Sequence, residues 1–189
     1  MAFVVALMVS AAAQAYSSGY SSSGDGSGFH IGVSVLRVDE TTNYIGVPST
    51  DSQITHIGSK GDYVLTNGFM FGLNYDSASK YYNATGTPTP ETRISYGPSI
   101  GYYNSGWLID GTYFVSSQDN FANGSYLSNG SGYQLELGYH YAVTGNFFIG
   151  VSLVYDSITY TQYTVGGVSV GQSNSQTDYY PAFDIGVNF

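Results

Sequence analysis

From Phe29 to Phe189 the chain alternates: apolar residues fall on every second position and polar or small ones lie between. In the stretch 133–141, Tyr133, Leu135, Leu137, Tyr139 and Tyr141 share one parity, and Gln134, Glu136, Gly138 and His140 share the other. Side chains on a β-strand point alternately to opposite faces, so such a stretch separates an apolar medium from a polar one. Phe69, Phe71, Leu73 and Tyr75 repeat the pattern, as do Ile94, Tyr96, Pro98, Ile100 and Tyr102. A helical period appears nowhere in this region. The alternation predicts eight strands, over 29–37, 54–65, 69–81, 92–103, 107–117, 131–143, 147–162 and 178–189. The second is the least marked, with only Ile57, Tyr63 and Leu65 clearly apolar on its odd face.

Tight polar turns separate these strands in pairs. Thr66-Asn67-Gly68, Asn104-Ser105-Gly106 and Thr144-Gly145-Asn146 are each flanked by aromatic or aliphatic residues and have hairpin character. Between them lie longer polar connections, expected over 38–53, 82–91, 119–130 and 164–177. They carry an acidic bias from Asp39, Glu40, Asp51, Glu91 and Asp119. Short and long connections therefore alternate, as in an antiparallel up-and-down barrel.

The charges decide which way the barrel faces. Lys60, Asp62, Asp76, Lys80, Arg93, Asp110, Glu136, Asp156, Asp178 and Asp184 all have the parity opposite to the aromatic residues. Arg37, at a strand end, is the exception. In a soluble barrel the bulky apolar residues would have to fit inside, and eight strands leave too little room for them. Turning the apolar face to lipid and the charges inward resolves the conflict. The aromatic residues also sit at strand edges. Phe29, Tyr63, Phe69, Tyr102, Trp107, Tyr141, Phe147 and Phe189 lie near the short turns, and Tyr75, Tyr96, Tyr113 and Tyr155 recur further along. Two such girdles are the expectation where amphipathic rings meet two membrane interfaces.

Composition agrees with this orientation. Only 9% of the 189 residues are charged, against about 25% in an ordinary soluble domain. Four Lys and Arg against 13 Asp and Glu give a formal charge of −9, which excludes a nucleic-acid partner, since phosphate neutralisation needs cations. The absence of cysteine excludes disulfides and thiolate metal sites. At the N-terminus, residues 1–15 combine the apolar run Phe3–Val9 with Ala13-Gln14-Ala15, a pattern expected of a cleaved signal peptide. Residues 16–28 are rich in Ser and Gly and are expected to form a flexible periplasmic tail. Residues 29–189 form the barrel domain in this reading.

The segment Tyr179-Tyr-Pro-Ala-Phe-Asp-Ile-Gly-Val-Asn-Phe189, following seven similar strands, resembles the terminal β-signal of eight-stranded bacterial outer-membrane barrels of the OmpA-like transmembrane-domain family. The resemblance implies an all-β, eight-stranded antiparallel transmembrane barrel in the bacterial outer membrane. It implies that Phe183, Ile185, Val187 and Phe189 are read by the barrel-assembly machinery. It further implies outer-membrane lipid and lipopolysaccharide as surroundings, a monomer, and long connections facing outward toward a host, cell-surface or small-molecule ligand.

Charges enclosed in a narrow lumen must be paired or hydrated. Lys60 is expected to pair with Glu136 or Asp184, and Arg93 or Lys80 with Asp156, with Asp76 at the level of Lys60. Near the mouth, Asp110 is expected to meet His140, or Asp184 to meet His30. Such a network acts as a polar plug or gates a narrow, cation-preferring pore. No enzymatic role is expected. The lipid face carries no histidine or acid from which to build a triad, and neither a nucleophile elbow nor a phosphate-binding loop is present. No cofactor or metal is called for. Three functions remain: a structural or surface-interaction barrel, a narrow pore or OmpW-like small-ligand channel, and a secreted soluble lipocalin-type binder.

Overall fold

A computed structural model describes residues 27–42, 50–83 and 89–189. The expected signal peptide and nearly all of the Ser/Gly-rich tail lie outside the described residues. Eight strands make up the fold: β1 (Gly28–Thr42), β2 (Thr50–Val64), β3 (Phe69–Asn83), β4 (Thr89–Asn104), β5 (Trp107–Phe121), β6 (Tyr126–Thr144), β7 (Phe147–Val165) and β8 (Val168–Asn188). Each pairs antiparallel with the next, and β8 returns to pair with β1, closing the barrel. The closing joint is short. Among the described residues it runs from Phe29–Phe189 to Val35–Phe183, whereas β7 and β8 stay paired from Phe147–Val187 to Val165–Val168.

The strands extend beyond the alternating segments, mostly at the end away from the termini. Two of the expected long connections are therefore short. β5 and β6 are joined through residues 122–125, and β7 and β8 through Gly166-Gly167 alone. Both glycines have positive φ, 58° and 80°, the backbone of a type I′ hairpin turn, which glycine adopts without steric cost. Ser105 and Gly106 form the same turn between β4 and β5, at φ 51° and 87°. At the first hairpin, the Phe69 amide donates to the Asn67 side chain at 3.1 Å, and the Leu65 amide donates to the Phe69 carbonyl.

The barrel is inside-out relative to a soluble protein. Leu73, Ile100, Ile109, Leu137, Leu153 and Phe183 are exposed on the outside, while Asp62, Asp76, Arg93, Asp110 and Asp156 are buried within. Two aromatic girdles bracket the apolar band. Near the termini, the cross-strand partners Phe29–Tyr63, Phe69–Tyr102 and Trp107–Tyr139 meet edge to face, with ring centroids 5.1, 5.7 and 5.2 Å apart. Toward the other end, tyrosines face one another in register three times, at Tyr75–Tyr96, Tyr113–Tyr133 and Tyr155–Tyr179.

Small residues let the wall close around its contents. A Cβ at Gly97 would lie 1.8 Å from the Tyr113 carbonyl oxygen and 2.9 Å from the Phe114 Cα. The β4–β5 register shifts at this point, between Tyr96 and Ser99. Gly97→Ala must therefore push two strands apart, an overpacking expected to cost about 1–3 kcal/mol. Gly111→Ala is the control, because its nearest neighbour is a Leu135 methyl at 3.7 Å. Urea titration of the barrel in lipid vesicles, read by heat-modifiable gel migration, compares the two.

Candidate functional site: the barrel interior

Alternate residues of all eight strands point into the lumen, where they stack in layers from the terminal end upward. The lowest layer is aromatic. His30 of β1, His140 of β6 and Phe148 of β7 stack with centroids 4.4–5.3 Å apart, and Tyr103 of β4 leans on both histidines. All three stacked side chains are buried. Glycines make room for them: a Cβ at Gly186 would lie 2.4 Å from the Phe148 ring, and one at Gly150 would lie 2.3 Å from the His140 ring. His30 Nδ1 bonds the Asn188 side chain at 2.7 Å.

Above this lies the first charged layer. The Lys60 ammonium donates to both Asp110 and Glu136, which are register partners on β5 and β6. Asp62 accepts from the Ser99 hydroxyl at 2.6 Å. Asp184, expected as an alternative partner of Lys60, lies against His140 instead, at 3.4 Å. The two expected acid–histidine contacts are thus exchanged: Asp110 goes to Lys60, and Asp184 to His140 rather than His30.

A neutral layer follows. The Asn74 amide donates to Thr112 at 3.0 Å and to Gln134 at 2.7 Å. Gln134 donates to the Tyr180 hydroxyl at 3.3 Å, and that hydroxyl donates to Asp76 at 3.4 Å. Thr112 also reaches down to Asp110 at 3.4 Å. This chain of side chains connects the lower charges to the upper ones.

The second charged layer centres on Arg93, which is 2% exposed. Its guanidinium grips Asp156 with both terminal nitrogens, at 2.7 and 3.4 Å, and reaches Asp178 at 2.8 Å and Asp76 at 3.4 Å. The planar fork of arginine suits bidentate contact with a carboxylate. Lys80 lies 3.5 Å from the other oxygen of Asp178. His56 stacks on Tyr180, with centroids 3.9 Å apart. Higher still, Ser117 bonds Ser95 and Tyr160, and Gln176 donates to Asp119 at 2.7 Å. Phe114, Leu127, Ile158 and Tyr160 form an apolar cluster beside them.

Lys60, Asp76, Lys80, Arg93, Glu136, Asp156 and Asp184 all lie in the lumen, divided between the two charged layers. The first layer also holds Asp62 and Asp110, and the second also holds Asp178. Asp119, read from the sequence as a loop acid, is a fully buried lumen residue of β5. Glu91 belongs to β4, and the side chains of Asp39, Glu40 and Asp51 lie outside the described residues. The β-signal positions lie on the outer face: Phe183 and Ile185 are exposed, and Phe189 exchanges backbone hydrogen bonds with Phe29.

No family model matches the chain. No curated protein matches it either. Among solved structures it is similar to the outer membrane protein OprG from Pseudomonas aeruginosa, at 14% identity over 90% of this chain and 98% of that one, with a TM-score of 0.49. It is similar to Neisserial surface protein A (NspA), at 14% identity over 87% and 99% of the two chains, again at 0.49. The β domain of the Bordetella autotransporter BrkA follows, at 11% identity over 87% and 99%, with a TM-score of 0.29.

Proposed function

We propose that this chain is an integral barrel of the bacterial outer membrane that works through its outward hairpins, without catalysis, and that its filled lumen is a support rather than a pathway. The observation behind this reading is Arg93. It sits across the lumen with three carboxylates on its guanidinium, an aromatic layer below and an apolar cluster above. An ion passing through would have to break a buried, multiply bonded charge cluster, which is strongly unfavourable. In this reading the apolar band faces lipid and lipopolysaccharide, and Phe183, Ile185, Val187 and Phe189 serve the assembly machinery.

Among the described residues, the extended β7–β8 hairpin is the longest outward feature. Its tip, Val165 to Val170, is exposed and joined by the Gly166-Gly167 turn. The chain is expected to fractionate with the outer membrane and to be silent in planar bilayers. Replacing residues 162–171 by a two-residue turn is expected to remove cell-surface binding and leave heat-modifiable migration intact. Discrete conductance steps that disappear in Lys60→Met or Glu136→Gln would instead establish a cation-preferring pore.

A further inference from the structure

The charges of the lumen are not evenly balanced. The upper layer sets Arg93 and Lys80 among Asp76, Asp156 and Asp178. In the lower layer Lys60 stands alone among Asp62, Asp110, Glu136 and Asp184, all of them buried. Among the described residues, buried polar atoms without a hydrogen-bond partner occur higher up at His56, Arg93 and Asp119, but the lower level holds more of them. Oδ2 of Asp62, of Asp110 and of Asp184 has no hydrogen-bond partner, and neither has Nδ1 or Nε2 of His140. His140 is 4% exposed and Asp184 5% exposed. Buried polar atoms normally find partners, so such a concentration calls for a specific cause.

We propose that Glu136, His140 and Asp184 form a binding site for a divalent transition-metal ion, of which zinc is the best fit. One ligand atom from each of the three lies within 4.8 Å of the others, close enough for a single ion to reach them all. Glu136 and His140 share a face of β6 with only Gly138 between them, so no side chain intervenes. Asp184 of β8 lies on the same cross-strand row as His140, with only Gly150 of β7 between them, and its Oδ2 is 3.4 Å from His140 Nε2. One imidazole and two carboxylates suit zinc or manganese better than calcium or magnesium, which favour all-oxygen sets. Lys60 holds Glu136 through Oε2, and an ionised carboxylate has further lone pairs with which to bind an ion at the same time. A divalent charge here offsets the carboxylate excess that Lys60 alone leaves, and it gives ligand bonds to His140 and Asp184, whose 3.4 Å contact makes no hydrogen bond. The upper trio of His56, Asp76 and Asp156 also has its ligand atoms within this distance. Its carboxylates, however, are already bound to Arg93, so an ion there would have to displace the guanidinium.

The test uses the untagged full chain folded in lipid vesicles, stripped with chelator and titrated with zinc against a chromophoric competitor. One zinc per barrel is expected. His140→Gln and Asp184→Asn should each weaken binding by at least about tenfold, the lower end of what losing even an outer-shell partner produces. His56→Gln should leave binding unchanged. Heat-modifiable migration confirms that each variant is folded. The chain has three histidines, so ring NMR signals of the wild type give a second readout that no lumen substitution can disturb. Zinc is expected to shift the His140 signals and spare those of His56. Absence of stoichiometric binding, unchanged affinity in either folded ligand variant, or a shift of His56 instead of His140 overturns the proposal.

Discussion

Replacing Arg93 with methionine is expected to destabilise the barrel by about 3–5 kcal/mol, the range for removing one partner of a buried ion pair. Arg93 is the only cation within 3.5 Å of Asp156 and Asp76 among the described ion pairs, and it shares Asp178 with Lys80. Without it, three carboxylates remain in a confined space with a single lysine at their edge. The cost comes from stranding those charges rather than from losing an intrinsically strong bond. It should therefore shrink when charge is also removed from the other side, so Arg93→Met combined with Asp156→Asn is expected to recover part of the loss. Arg93→Lys should fall in between. It keeps the charge but cannot offer two parallel donors to Asp156 while reaching Asp178 and Asp76. Urea unfolding in vesicles measures all three variants. A loss under 1 kcal/mol for Arg93→Met would show that the upper charges are satisfied by something other than the guanidinium.

Leu73→Arg is expected to cost about 2–4 kcal/mol, the penalty for a cation on the lipid face near the bilayer midplane. Val168→Arg, at the tip of the β7–β8 hairpin, is expected to cost only about 0–1 kcal/mol, the interfacial value. The two positions have nearly the same exposure, 69% and 64%. In a water-soluble barrel both arginines would be solvated and both changes would be small. The difference between them, measured as the free energy of folding into vesicles, therefore reports what medium surrounds Leu73. Equal effects would favour the soluble lipocalin-type alternative.

The faces of the strands were legible in the sequence because alternation leaves little freedom. Once Leu135 and Leu137 point outward, Glu136 has to point inward. Strand length was harder to read. Residues 168–177, Val-Ser-Val-Gly-Gln-Ser-Asn-Ser-Gln-Thr, extend beyond the apolar band, where both faces of a strand meet water and no alternation is required. The signal that was present, Gly166-Gly167 between two valines, is a hairpin turn signature that the surrounding polar residues obscured.

Height was the least legible coordinate. Parity assigns a charge to the lumen but does not say which charge lies opposite. Counting residues from the terminal end of each strand puts Asp110 near the mouth and Glu136 well above it. In the barrel they are register partners, because neighbouring strands are staggered. The same stagger brings Asp184 beside His140 rather than Lys60. Asp62 and its bond to Ser99 had no distinguishing signal beyond parity. Nor did the Asn74–Gln134–Tyr180 relay, since neutral polar residues at lumen positions look alike until their partners are known.

The joint between β1 and β8 differs in kind from the other seven. Every other pair is joined by a connection from which pairing can zip outward, so each needs only a local loop closure. β1 and β8 must find each other from opposite ends of the sheet, and the entropic cost of that search is set by the whole barrel. Their pairing, from Phe29–Phe189 to Val35–Phe183, is also short. The ring is therefore closed where closure is slowest and the hydrogen-bonded length is small. When it parts there, the product is an eight-stranded sheet with two bare edges, open to pairing with any other strand within reach.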